Sequence, residues 1–492
     1  MNMESANICR LHCNGSPAMP QGDLSQSRRD FLKLAAAGIG VFSQGHLFGS
    51  AAVPRSEISV RLTSESARFA AQPSIPWQFA GGLSSDTVVL DPTKTYQEVL
   101  GVGAALTEAA CYMFNQLTPD AREPIFHELY HPSAMGFGVC RTGIGASDYA
   151  TVAYSYDDGD PDPDLLRFSI DHERAYVLPM LRLARKMNPE LFVFGAPWSP
   201  PGWMKANGSM LGGSMRKRNL AAYAHYLVKY LQAYAAEGVT LDAVTSQNEV
   251  DTDQDGRMPA CFWAQEIEIE FVAKHLGPAL QKNQLPTKIW ILDHNWNLWG
   301  RAMGELEDPE VYKYADGIAW HVYVGKDSAM SRVHDAYPNK HAYVTECSPD
   351  FKDPAYMTSW ASWAEQFAGM FRNWARCATS WNLALDENGR PDIGPFTAGG
   401  VVSINSETHE IVRTGQYWAL AHFSHAARRG GRRFDSQGEL EKVSHVGFAY
   451  PDRRCALVLA NTGKETNARL RMGDMSAEVS LPESSVLTLT WQ

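Results

Sequence analysis

The chain has 492 residues, of which 45% are hydrophobic and 20% charged, enough apolar material for a real core and too few charges for a disordered chain. Its formal net charge of −11 excludes a binder of nucleic acid or anionic membranes, because such partners need a clustered positive potential. The densest basic run, "RRGGRR" at 428–433, is short and reads as a solvated helix end.

The first element is a leader. "SRRDFLKLAAAGIGVF", from Ser27 to Phe42, joins an arginine pair to a modest apolar stretch and resembles a twin-arginine export signal. That stretch is shorter than the roughly 20 residues of a membrane helix, so no integral membrane segment is expected. Small residues at Ser50 to Val53 mark a cleavage region, which makes 1–52 the leader. A start at Met19 would give a signal of ordinary length, leaving Cys9 and Cys13 untranslated or lost with the leader. The expected partner is the twin-arginine translocase, and the expected location is periplasmic or extracellular.

Residues 57–92 and 431–492 carry short alternating segments with turn signals, such as "CALVLANTG", and predict an all-β sandwich built from both chain ends. Between them, over 93–430, strand-like and helix-like runs alternate. The predicted strands are 98–106, 135–145, 191–199, 241–249, 288–295, 316–323, 341–348 and 375–385. Amphipathic helical runs fall at 173–187 and 220–238, the second ending at Gly238. Eight strand–helix repeats predict a closed (β/α)8 TIM barrel, an α/β fold.

In such a barrel the chemistry lies at the carboxyl ends of the strands. Those ends supply Arg141 and Asp148, Trp198, Asn248 and Glu249, Asp293 and His294, His321 and Tyr323, Glu346, then Trp381 and Asn382. Glu249 closes its strand directly behind Asn248, where a turn former is the usual residue. Two carboxylates, Glu249 and Glu346, among Trp, Tyr and Asn describe a sugar site. Glycoside hydrolysis needs one protonated carboxyl and one ionised one, and aromatic faces suit the C–H faces of a sugar ring. The ionised member of such a pair is expected to raise the pKa of the other.

The motifs "GAALTEAA", "RTGIGASDYA", "GAPWSPPGWMKANGSMLGGSM", "TSQNE", "DGIAWHVY", "VTECS" and "WNLALDENG" together resemble those of glycoside hydrolase family 30, the glucosylceramidase-like enzymes, from Gly101 to Gly389. The resemblance implies a barrel with an attached β-sandwich and a retaining mechanism without a cofactor. It implies Glu249 as acid/base and Glu346 as nucleophile. It also implies that Asn248 holds the sugar 2-hydroxyl, Arg141 pairs near the nucleophile, and Asp148 and Trp198 grip hydroxyls of a terminal ring. His321, Tyr323 and Trp381 complete the substrate-binding set. The implied activity is hydrolysis of terminal β-glucosyl groups. The alternatives within the family are a β-1,6-glucanase, a β-xylosidase or a β-fucosidase.

Three positions depart from the family pattern: Val250 stands for Pro, Val322 for Trp and Ser380 for Asp, which predicts a remodelled subsite. The stretch "RPDIGPFTAGG" after Gly389 matches nothing in the glucosylceramidases. "DTDQDG" at 251–256 imitates a calcium loop, but its twelfth position is Phe262, so the bidentate Glu is missing. "DDGDPDPD" at 157–164 reads as a solvated loop. Cys111, Cys140, Cys261, Cys347, Cys377 and Cys455 are scattered singly and read as small core residues. No metal and no cofactor are expected. A periplasmic oxidoreductase and a non-catalytic carbohydrate-binding protein are the rival classes. The first lacks ligands in this sequence, and the second would have lost a carboxylate.

Overall fold

The computed structural model describes residues 57–492 except Leu83 and Ser85; the leader, with its arginine pair, lies outside the described residues. Eight parallel strands form a closed barrel: β1 Gly101–Leu106, β2 Val139–Gly143, β3 Phe192–Ala196, β4 Ala243–Thr245, β5 Lys288–Asn295, β6 Ala315–His321, β7 His341–Glu346 and β8 Ala375–Asn382. Every strand expected from the sequence contributes one barrel strand. Pairing runs in chain order and closes where Cys377 of β8 meets Gly101 of β1.

The barrel closes because its inward residues fill it. Val139, Phe192, Phe194, Trp290, Tyr343 and Cys377 form one buried cluster, with the Trp290 and Tyr343 rings stacked 3.9 Å apart. Burying a side chain of this size contributes about 1.5–3 kcal/mol. Glycine is required where β1 meets β2, since a Cβ on Gly103 would lie 1.8 Å from the Val139 carbonyl oxygen.

The helix Leu220–Ala236 buries Tyr223, Tyr226, Tyr230 and Tyr234 along one face and gives way to Gly238 at φ +80°, as the periodicity predicts. The expected helix 173–187 begins later. A 3-10 turn at Asp171–Arg174 precedes the α-helix Val177–Met187. No helix among the described residues is long and apolar enough to cross a membrane.

The flanks build one ten-stranded, mostly antiparallel sheet. Its strands are Ile58–Ser64, Ala67–Ile75, Gln78–Phe79, Thr87–Glu98 and six more between Arg432 and Trp491. Val88 and Leu90 share a buried cluster with Leu457 and Leu489, so the sheet curls until its inner face becomes its own core. Thr87–Glu98 runs past Asp91 because Arg432 pairs with Glu98 and the Arg433 guanidinium lies 3.7 Å from the Tyr96 ring centroid.

Two surface readings change. The run 428–433 is not a solvated helix end: Arg428 donates to the Pro132 carbonyl at 2.7 Å, and Arg433 is buried. The acidic loop 157–164 turns Asp157 and Asp162 inward, where both face Arg167. All six cysteines from Cys111 onward are buried and unpaired.

Candidate active site

At the end of β4 the chain bends to present a carboxylate. The Gln247 amide donates to the carbonyls of Trp198 and Asn248 at 2.6 and 2.9 Å. The Asn248 N–H bonds the Pro197 carbonyl at 2.8 Å, and the Glu249 N–H bonds that of Asp293 at 2.9 Å. Glu249 and Asp293 both adopt positive φ, +49° and +45°, an uncommon conformation for side-chain-bearing residues that surrounding contacts must hold. The polar strand ending therefore has a physical purpose: it turns Glu249 into the barrel mouth.

Arg141, 0% exposed, joins the strand ends. Its Nη1 donates to Glu346 Oε2, and its Nη2 donates to Asn248 Oδ1 at 2.7 Å and Asp293 Oδ2 at 2.8 Å. Asp293 also accepts from the hydroxyls of Thr245 at 2.8 Å and Thr345 at 2.6 Å. Burial pushes the Asp293 carboxyl up, but the Arg141 charge and the His321 bond outweigh it and hold it well below the usual carboxylate range. Tyr323 donates its hydroxyl to Glu346 Oε1 at 2.8 Å. Glu346 is thus gripped on both oxygens.

Glu249 sits between two imidazoles. His321 Nδ1 lies 3.2 Å from its Oε1 and His294 Nδ1 3.6 Å. The expected rise in the Glu249 pKa is not found. Burial does push it up, but the His321 hydrogen bond and the charges of His294, His321 and Arg141 carry it below its ordinary value. A neighbouring carboxylate alone would raise it; the nearby imidazoles and Arg141 reverse the sign.

A cavity of about 500 Å³ opens over these groups. Asp148, Trp198, Asn248, Glu249, Tyr323, Glu346 and Trp381 all line it. Trp198 and Trp381 stack at 4.8 Å and 21°, with the Arg141 guanidinium 4.7 and 5.2 Å from their centroids. Burial first, then the negative charges of Glu346 and Glu249, pushes the Asp148 carboxyl well up. Its Oδ1 is buried without a hydrogen-bond partner.

Arg141 and His321, read from sequence as substrate-binding, do not line the cavity. Both are fully buried behind it and bond its carboxylates, Arg141 reaching Glu346 as the resemblance implies and His321 reaching Glu249. Ser380 is not on the wall either; its hydroxyl lies 3.8 Å from Cys347 Sγ. Where the family pattern has Asp, this chain therefore presents no carboxylate from position 380 to the cavity. The stretch after Gly389 does shape the site: Phe396, Thr397 and Ala398 line the cavity, anchored by the Ala398 N–H to Tyr149 hydroxyl bond at 2.8 Å.

Thr245, Asn295 and Thr345 were not legible as site residues, Asp293 and His294 were placed at a strand end without a role, and the loop that begins at Asp251 was expected to shape the cleft beside Glu249. Asp251, Thr252 and Gln254 of the calcium-like loop line the cavity. Asp251 Oδ1 is spent on His294 Nε2 at 2.5 Å, and Asp253 caps its own turn.

The family model described as the glycosyl hydrolase family 30 TIM-barrel domain matches residues 99–427. An endo-1,6-β-D-glucanase of Neurospora crassa is 33% identical over 360 residues, 69% of this chain and 72% of the relative. Putative glucosylceramidase 3 of Caenorhabditis elegans is 30% identical, with 82% of each protein covered. Among solved structures, an endo-β1,6-glucanase superposes with a TM-score of 0.81 at 28% identity, covering 88% of this chain and 99% of that one.

Proposed function

Because the chain belongs to glycosyl hydrolase family 30 and is a glycoside hydrolase, we propose that it cleaves β-linked glucosyl groups with retention, with a β-1,6-linked glucan as substrate. The observation that carries this reading is the bridge from Arg141 to Glu346 and Asn248, which sets a doubly held carboxylate in the same cavity as Glu249.

In the first step a Glu346 oxygen attacks the anomeric carbon while the bond to the leaving oxygen breaks, and Glu249 gives that oxygen a proton. In the second, Glu249 takes a proton from water, whose oxygen attacks the same carbon and frees Glu346. Two inversions leave the β configuration. Tyr323 and Arg141 hold the nucleophile in line, and preorganised donors of this kind need no rearrangement as charge moves. Trp198 and Trp381 offer an aromatic wall to a sugar face.

The β-1,6 preference is supported by the named glucanases. The second reading is a glucosylceramide, supported by the nematode relative and by Phe396, a cavity-lining side chain 43% exposed, which suits an apolar aglycone. Initial rates on β-1,6-, β-1,3- and β-1,4-glucans and on glucosylceramide in detergent test the choice. The β-1,6-glucan should be cut fastest, and sizing its products separates terminal from internal cleavage. A faster rate on glucosylceramide would overturn the substrate assignment and leave the catalytic pair standing.

A further inference from the structure

We infer that Glu249, His294 and His321 form a binding site for a borderline divalent cation, Zn²⁺ above all, which switches the enzyme off. One ligand atom from each residue lies within 4.8 Å of the other two. Glu249 Oε1 is 3.2 Å from His321 Nδ1 and 3.6 Å from His294 Nδ1. Ligands about 3.3 Å apart surround a tetrahedral ion with bonds of about 2.0–2.1 Å, so both edges through Glu249 are already near their final length.

The surroundings favour a metal over chance proximity. Each imidazole has a carboxylate at its far nitrogen: Asp251 lies 2.5 Å from His294 Nε2, and Asp293 lies 3.1 Å from His321 Nε2. A carboxylate behind a ligating histidine fixes the ring and raises its basicity. His294 is 7% exposed, and its Nδ1 is buried with no hydrogen-bond partner, a cost that an ion would relieve. Glu249, Glu346, Asp251 and Asp293 supply negative charge against the guanidinium of Arg141. Glu249 and His294 also line the cavity, which leaves a fourth position for water.

Two nitrogens and one oxygen suit Zn²⁺, Co²⁺ or Cu²⁺ and not Ca²⁺ or Mg²⁺, which require more oxygen ligands. An ion on Glu249 Oε1 and both imidazoles competes with protons for the same lone pairs, so Glu249 could no longer act as an acid. Inhibition rests on the role proposed for Glu249; binding does not.

Calorimetric titration of untagged full-length protein with ZnCl₂ tests the site, with His294→Gln and Asp251→Asn beside the wild type and MgCl₂ as the control ion. The partly exposed Asp251 makes the second variant tolerant of folding. The wild type should bind one more Zn²⁺ than His294→Gln, Asp251→Asn should bind it about 10–100-fold more weakly, and Mg²⁺ should give no such site. Sugar hydrolysis should fall with Zn²⁺ occupancy in the wild type, and in Asp251→Asn only at about 10–100-fold higher Zn²⁺, while His294→Gln should not show this inhibition. Identical Zn²⁺ isotherms for wild type and His294→Gln would overturn the proposal. Loss of the site in His294→Gln, without hydrolysis of any glycoside by the wild type, would uphold the site and sink the catalytic reading instead.

Discussion

His321 stands between two carboxylates, with Nδ1 3.2 Å from Glu249 Oε1 and Nε2 3.1 Å from Asp293 Oδ1. Burial lowers the imidazole's pKa, but the charge of Glu346 and the bonds to Asp293 and Glu249 outweigh this and raise it to about 9. Near neutral pH the proton of the Glu249–His321 pair therefore rests on the imidazole. Glu249 thus gives the leaving oxygen a proton that His321 holds 3.2 Å away and passes to it, and the pair stays loaded further into the alkaline range than a carboxyl alone would.

This fixes the pH dependence. The raised folded value means the proton is held below about 9 and lost above it. The alkaline limb of kcat/KM should fall near pH 9, and His321→Gln should move it toward lower pH. Conformational stability should follow the same sign. The contribution of His321 is complete below about 6.5, the unfolded value, and disappears as pH rises through about 9. A pH–rate profile unchanged by His321→Gln would contradict this coupling.

Removing each carboxylate should have a different result. Glu346→Gln keeps the shape but not the nucleophile, and activity on every glycoside should fall by at least about 10³-fold, or 4 kcal/mol. Glu249→Gln should retain the first step for aryl glycosides with good leaving groups, giving a burst of phenol and then slow turnover. Stopped-flow absorbance distinguishes the two.

The ion pair behind the cavity predicts a stability effect. Asp293→Asn leaves the buried Arg141 guanidinium without its 2.8 Å partner and should cost about 3–5 kcal/mol. Urea unfolding measures the loss, and kcat should fall with it because Arg141 and His321 lose their common anchor.

Export is proposed from the leader alone. Replacing Arg28 and Arg29 by lysine should retain the protein in the cytoplasm, since the translocase reads the arginine pair as an address. Fractionation followed by immunoblotting checks this, and unchanged export would mean another route.

The barrel was legible because its strands are apolar runs separated by helices of clear period, as in "KIWILDHN", which matches β5 residue for residue. Glu249 and Glu346 were legible because both end barrel strands. What stayed hidden depended on partners far apart in sequence. Arg141 and His321 cannot be told from cavity-lining residues until burial is known, because a strand end has two faces. Asp293 looked like an ordinary strand end until Arg141, 152 residues away, closed on it. The lowered pKa of Glu249 depends on Arg141 and two histidines from three strands, and no local pattern carries that sum.

Glu249 and Glu346 are proposed to cleave a β-glucosyl bond by two successive inversions. Proton NMR during the first minutes of hydrolysis, on a β-1,6-glucan or an aryl β-D-glucoside, distinguishes this route from a single inversion. The anomeric signal of β-glucose, or of a β reducing end, should appear first, with the α-anomer growing later by mutarotation. Initial release of the α-anomer would mean a single inversion and rule out Glu346 as a nucleophile.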